Sequence, residues 1–264
     1  MTDKTLTYKN AEVKYRLLAN EGKPTILMLH PAFADSGLFE PQADDFKQDY
    51  QILLVDLPGH GANAAIASGI TMKDMPHICD RLLEAHRIDR CAVLGISLGS
   101  LVAQAFADRY PNRVRSVAIV GGYSIHKANE RLLKAQRKEG LKWLFTVLLS
   151  MNRFKRYILS VSCHSDRGRS LFERGLHRFR RQSFSAMGGM SSIFRATNDP
   201  MPYPLLIVVG EHDLRLIREA AEALHRLEPH SAFMTVPDAG HCANADRPDE
   251  FNAIYRRFLA EHKD

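Results

Sequence analysis

Gly95-Ile96-Ser97-Leu98-Gly99 sets a serine between two glycines, each two residues away. Arg90-Cys91-Ala92-Val93-Leu94 before it reads as a short buried strand, and Ser100 to Tyr110 after it carries helix-forming residues at helical spacing. The serine therefore stands at a strand-to-helix junction. Such a turn strains the serine backbone, leaves no room for side chains two residues before and after it, and pushes the hydroxyl out over the strand ends. The first N–H groups of the new helix then face whatever the serine attacks.

Further strand-like apolar runs lie at Thr25 to Leu29, Ile52 to Val55, Val117 to Val120, Leu205 to Val209 and Phe233 to Val236. Amphipathic helical stretches separate most of them, for example Met72 to His86 and Leu214 to Leu227. Continuously apolar strands that alternate with helices predict a parallel, doubly wound α/β sheet. Thr5 to Leu18 reads as an antiparallel hairpin feeding that sheet, with Asn10 near its turn. The alternation stops between Tyr123 and Pro200, where about three helices and no strand are expected, an insertion over the strand ends. Pro200, Pro202 and Pro204 mark the return to the sheet. The expected organisation is a core domain of residues 1–122 and 201–264 with a helical cap at 123–200.

At 264 residues, 45% apolar and 25% charged, the chain is long enough for one sizeable core plus an insertion. Its first residues form no apolar signal segment, and no apolar run reaches the roughly 18 residues that span a bilayer, so residence in the cytoplasm is expected. Cys79, Cys91, Cys163 and Cys242 show no C-x-x-C spacing and read as reduced structural thiols. Neither a metal nor a cofactor is expected.

A serine hydroxyl is a poor nucleophile until a base takes its proton, and the base needs an acid that orients it and stabilises the imidazolium. Gly210-Glu211-His212-Asp213 follows one predicted strand, and Asp238-Ala239-Gly240-His241 follows the next. Acid and histidine thus come in the order Ser, Asp, His, each in a loop at a strand's C-terminal end.

Over nearly its whole length the chain resembles the α/β-hydrolase superfamily. The resemblance rests on His30-Pro31-Ala32-Phe33, Asp56-Leu57-Pro58-Gly59-His60-Gly61, the elbow at Ser97, Gly210 to Asp213 and Gly240-His241. Pro248 to Phe258 looks like the family's closing helix. It implies Ser97 as nucleophile, Asp213 as orienting acid in preference to Glu211, and His241 as general base. It also implies an oxyanion hole made by the N–H of Leu98 and a second N–H after His30. The family usually has glycine where this chain has Pro31, which carries no N–H, so Ala32 is the expected second donor, with Phe33 as the alternative. Each such donor is worth about 3 to 4 kcal/mol. His60 reads as a structural loop residue, and Cys242 and the Cys163-His164 pair as incidental neighbours.

Between Gly121 and Pro200 lie 16 Lys or Arg against 5 Asp or Glu, although the whole chain carries a net charge of only +6. In Leu171 to Phe184, Arg174, Arg178 and Arg181 recur at helical spacing opposite Phe172, Leu176 and Phe179, which predicts a cationic face and a greasy one. Trp143 to Leu149 is apolar all round, as a lid helix over a hydrophobic pocket would be. The stripe is either a solvated face or an attraction for an anionic partner, such as the acyl carrier used by the pimeloyl-carrier methyl esterases of this superfamily. Nucleic acid fits poorly, because no stacking platform or base-reading helix is present.

The reaction class expected is serine hydrolysis of a carboxylic ester or lactone with a mainly apolar acyl part. The alternatives are a carrier-linked methyl esterase or thioesterase, and a non-catalytic small-ligand receptor. No aspartate stands at the nucleophile position, against the dehalogenase and epoxide-hydrolase branches, and Leu101 lies where the menaquinone-pathway synthase carries arginine.

Overall fold

The computed structural model describes residues 2–66, 69–127, 147 and 150–263. Eight strands form one sheet: β1 (Thr2–Tyr8), β2 (Ala11–Leu18), β3 (Thr25–Leu29), β4 (Gln51–Val55), β5 (Cys91–Ile96), β6 (Val114–Val120), β7 (Leu205–Gly210) and β8 (Ala232–Val236). They lie in the order β1-β2-β4-β3-β5-β6-β7-β8. The hairpin joins antiparallel to β4, and every pairing beyond that is parallel. Lys9 and Asn10 have φ of 46° and 60°, the two left-handed residues that a tight hairpin turn requires.

Burial follows strand position. In β2 alternate side chains are buried, as a sheet with one covered face demands, whereas β3, β5 and β7 are buried along their whole length between two helical layers. One layer contains α2 (Met75–Ala85) and α3 (Leu98–Arg109). The other contains α1 (Glu40–Phe46). The predicted helix at Met72 to His86 starts instead with a tight 3-10 turn at Met72–Asp74, because Pro76 is suited only to a first helical turn.

Among the described residues the stretch between β6 and β7 holds no strand. Its described helices include α4 (Met151–Ser162), capped by the Ser150 hydroxyl, α5 (Asp166–Arg178), capped by that of Ser165, and the short α6 (Ser183–Ala186). Beyond β7, α7 (Arg215–Leu227) joins the α2–α3 layer, and α8 (Ala243–Asp246) with α9 (Pro248–Glu261) completes the other. No described helix is long and apolar enough to cross a membrane. The apolar stretch Trp143 to Leu149 lies, except for Val147, outside the described residues.

Asn63 ties the β2 edge to the loop after β4. Its carboxamide accepts the Lys14 N–H at 2.8 Å and donates to the carbonyls of Lys14 at 2.9 Å and Asp56 at 2.6 Å. With Asn63 only 2% exposed, Asn63→Ala is expected to cost about 1 to 3 kcal/mol, read as a lowered urea midpoint at unchanged slope.

Candidate functional site

The chain leaves β4 on one side of β3 and re-enters the sheet as β5 on the other. The carboxyl ends of β3 and β5 therefore border a topological switch point, where open α/β sheets place their ligand crevice. Ser97 follows β5 with φ 50° and ψ −111°, a conformation that non-glycine residues rarely adopt and that costs about 1 to 3 kcal/mol. A side chain at Gly95 would collide with the Gly99 carbonyl and stand 2.7 Å from the Ser100 Cα, and one at Gly99 would collide with the Leu29 carbonyl. Both flanking glycines are thus required by close backbone approach. Ser97 donates its own N–H to the Val120 carbonyl at 2.8 Å, which pins the turn to the end of β6.

His241 reaches the same corner from the far edge of the sheet. Its Nδ1–H is shared by the two Asp213 oxygens at 3.0 and 3.1 Å, and the Asp213 carboxylate also accepts the Leu214 N–H at 2.7 Å. The Asp213 side chain is fully buried, while that of His241 keeps 15% of its surface accessible. A side chain at Gly121 would lie 2.8 Å from His241 Nδ1 and 2.9 Å from Cε1, so the imidazole rests on the backbone one residue after the acceptor of the Ser97 N–H. Burial alone would lower the His241 pKa, but the charge and hydrogen bond of Asp213 outweigh it and raise the imidazole above its ordinary value. Of the two candidate acids, Asp213 is on the histidine; Glu211 instead accepts the Asp238 N–H at 3.1 Å on the outside of the loop.

Ala32 and Phe33 follow β3, which pairs with β5 through Leu29 and Gly95, so the loop that carries them borders the elbow. Leu98 opens α3, whose first N–H groups have no acceptor within the helix. His30 shapes this loop: Nδ1 donates to the Pro31 carbonyl at 2.7 Å and Nε2 accepts the Leu57 N–H at 2.8 Å, an arrangement only neutral imidazole can make. Burial lowers its pKa accordingly. His60 donates from Nδ1 to the Pro58 carbonyl at 2.9 Å, and burial beside His30 pushes it down to about 3, in keeping with a structural loop residue. Phe33 has φ 70°, and its ring packs at 5.2 Å from Phe154 and 5.0 Å from Phe179, with Phe184 at 6.1 Å.

The arginine stripe is not the continuous helical face that its spacing suggests. Helix α5 stops at Arg178, because Phe179 turns to an extended backbone and buries its ring on Phe33, leaving Arg181 beyond the helix. Arg174 pairs with Glu40 at 2.8 Å and Arg178 with Asp35 at 3.1 Å, while Arg181 donates to the Val147 carbonyl at 2.9 Å. Arg174 and Arg178 line a cleft of about 610 Å³ with Arg16, Asp35 and Asp56, and Ser97 is not part of its lining. The greasy half of the pattern is buried as expected: Phe172, Leu176 and Phe179 are each at most 2% exposed.

All four cysteines are free and buried. At the rim, Glu211, His212 and Asp238 bring ligand-type atoms within 4.8 Å of one another, but all three are exposed and Arg247 stands 3.9 Å from Asp238, a poor setting for a resident metal. Sequence reasoning assigned no role to two buried carboxylates near the site, Asp56 of the quoted motif and Asp246. Asp56 accepts N–H groups from Ser36 at 2.8 Å and Ala62 at 2.7 Å, and Asp246 gathers four donors around the His241 loop. An acid two residues before the proline that opens α9 was the available signal for Asp246, yet nothing in the sequence pairs it with residues more than eighty positions away.

Asp213→Asn keeps a hydrogen-bond acceptor but removes the charge that opposes burial. The His241 titration midpoint, followed by NMR, is expected above about 6.5 in the wild type and below it in the variant. A midpoint that ignores the substitution would refute this account of the pair.

The sequence model of the alpha/beta hydrolase family matches residues 26–254. RutD of Cronobacter turicensis, whose name carries a provisional carbamate-hydrolase assignment, is 25% identical over 246 residues, covering 90% of this chain and 92% of that protein. A malate-bound thermophilic esterase from Thermogutta terrifontis superposes with a TM-score of 0.81 at 20% identity, covering 99% of this chain and 100% of the other. Est816, an N-acyl homoserine lactone degrading enzyme, gives 0.78 at 21% identity over 97% of this chain and 100% of its own. The strained elbow, the loop after β3 and the loops after β7 and β8 all fall inside the matched span, and the chain belongs to the alpha/beta hydrolase family.

Proposed function

We propose that the protein is a serine hydrolase that cleaves a carboxylic ester or lactone through an acyl-enzyme on Ser97. The observation that carries the reading is the Asp213–His241 pair. With Nδ1–H donated to a buried carboxylate at 3.0 Å, the free form of the imidazole keeps its lone pair on Nε2, on the ring edge away from Asp213.

His241 takes the Ser97 proton as the oxygen attacks the carbonyl carbon, and Asp213 stabilises the imidazolium that results. The tetrahedral oxyanion is held by the N–H groups of Leu98 and Ala32, with Phe33 as the alternative donor, at the positive end of α3. His241 then protonates the leaving alkoxide. Water attacks the acyl-enzyme, giving its proton to His241 and regenerating the Ser97 hydroxyl as the acid departs. In a lactone the leaving alkoxide stays tethered to the acyl group, so one cleavage yields one hydroxy acid.

Residues 123–200 act as a cap over the core formed by 1–122 and 201–264. Its Phe154, Phe179 and Phe184 enclose Phe33 beside the oxyanion loop, a wall that favours an apolar acyl group. A carrier-linked substrate gains no support from the stripe, because Arg174 and Arg178 already have acidic partners in the core.

The purified protein is expected to turn over short p-nitrophenyl esters or lactones and to be labelled by a fluorophosphonate. Ser97→Ala should abolish labelling and lower kcat by roughly 10⁵- to 10⁶-fold. Wild-type protein that binds ligand without turnover would favour the receptor class instead. Because the base must be neutral, kcat/KM should rise with pH through one deprotonation above the ordinary imidazole value of about 6.5, following the raised pKa of His241. A flat profile between about pH 5 and 8 contradicts the assignment.

A further inference from the structure

Asp246 ends the short helix α8, five residues after His241, and is 4% exposed. One carboxylate oxygen, Oδ2, accepts the N–H groups of Gly240 and His164, each at 2.8 Å. The other, Oδ1, accepts the Ser165 N–H at 2.8 Å and the Ser165 hydroxyl at 2.9 Å. Ser165 is the residue that caps α5, its hydroxyl oxygen accepting the Gly168 N–H at 2.9 Å. A single buried charge therefore joins the residue just before His241 to the corner between α4 and α5. The residue just after it is tied to the same corner, since Cys242 donates its N–H to the Ser162 carbonyl at 2.9 Å. On its remaining side the imidazole is hydrogen-bonded to Asp213 and rests on the Gly121 backbone.

We propose that Asp246 is a positioning residue for His241, keeping the base against Asp213 and in line with Ser97 only while the α4–α5 corner of the cap is seated. The inference rests on the reading of Ser97 and His241 as nucleophile and base. A carboxylate with four donors is intolerant of losing two of them, because the charge would then be buried with half of its hydrogen bonds. Displacing the corner withdraws three of the four donors, those of His164 and Ser165. The carboxylate must then follow the cap and pull on Gly240, or turn to water and release it, and either change frees the base from its position. Cap closure and base alignment become one event, so that the site is assembled only when the cap lies over it.

Two substitutions probe this from opposite sides of the joint. Asp246→Asn presents an amide NH2 to two of the donors. Gly168→Ala, in the first turns of α5, sets a methyl group against Asp246 Oδ1 from the cap, at a position where alanine by itself favours the helix. For each variant the His241 midpoint is followed by NMR, which needs no substrate, and kcat and KM are measured on a turned-over ester with the enzyme concentration taken from the end point of fluorophosphonate labelling. The expected result is a His241 midpoint lowered from the wild-type value, a matching shift of the kcat/KM profile to lower pH, and a kcat reduced roughly 10- to 100-fold with KM little changed. A residue that merely stabilises the fold would lower the melting temperature and leave the midpoint and the kcat of the folded fraction at wild-type values; that result, or a change in one readout without the other, overturns the proposal. If Asp246→Asn fails to fold, Gly168→Ala decides alone. A wild type that turns over no ester while both variants shift the His241 midpoint removes the hydrolase reading and leaves the positioning of His241 standing.

Discussion

Everything at this site depends on how closely the turn leaving β5 passes over the carboxyl end of β3. The two strands pair in parallel through Leu29 and Gly95, and the first turn of α3 lies directly on the carbonyls of Leu29 and His30. Only glycine fits at 95 and 99, and only a left-handed backbone at Ser97 turns the chain sharply enough. Such strain persists when the surroundings over-determine it. Here they do, through the fully buried β5, the Ser97 bond to Val120 and a helix α3 buried from Leu98 to Ala107.

Around that turn, buried carboxylates rather than apolar packing set the loops. Asp56 holds the segment after β4 to Ser36, Asp213 holds His241, and Asp246 holds the histidine loop to α5. Each is desolvated, and each is satisfied by backbone N–H groups, a serine hydroxyl or a histidine, with no buried lysine or arginine paired to it among the described residues. Charge-assisted hydrogen bonds of this kind are directional and stronger than neutral ones, so they fix loop geometry to a degree that van der Waals contact alone does not. The histidines respond in opposite senses. Burial drives His30 and His60 toward permanent neutrality, whereas the partner carboxylate raises His241.

The sheet was legible because its signal is local. A strand buried on both faces has to be apolar throughout, and Leu205 to Val209 or Cys91 to Leu94 could hardly be anything else. The Asp213 and His241 loops were legible for a related reason, since each follows such a strand and loops at carboxyl ends gather over the sheet. The arginine stripe misled for the opposite reason. Helical spacing in Leu171 to Phe184 continues past Arg178, but the helix does not, because burying Phe179 against Phe33 outweighs one more turn of hydrogen bonds. Glu40 and Asp35, which occupy two of those arginines, lie more than a hundred residues away in sequence.

Sequence by itself determined the strand-to-helix junction at Ser97, the succession of strands and the order in which serine, acid and histidine arrive, because periodicity and glycine spacing act over a few residues at a time. Tertiary structure alone decided which acids pair with Arg174 and Arg178 and how the histidine loop is fastened to the helices above it. Those outcomes depend on buried charges finding donors from distant segments, and only the folded packing determines which donors are within 3 Å.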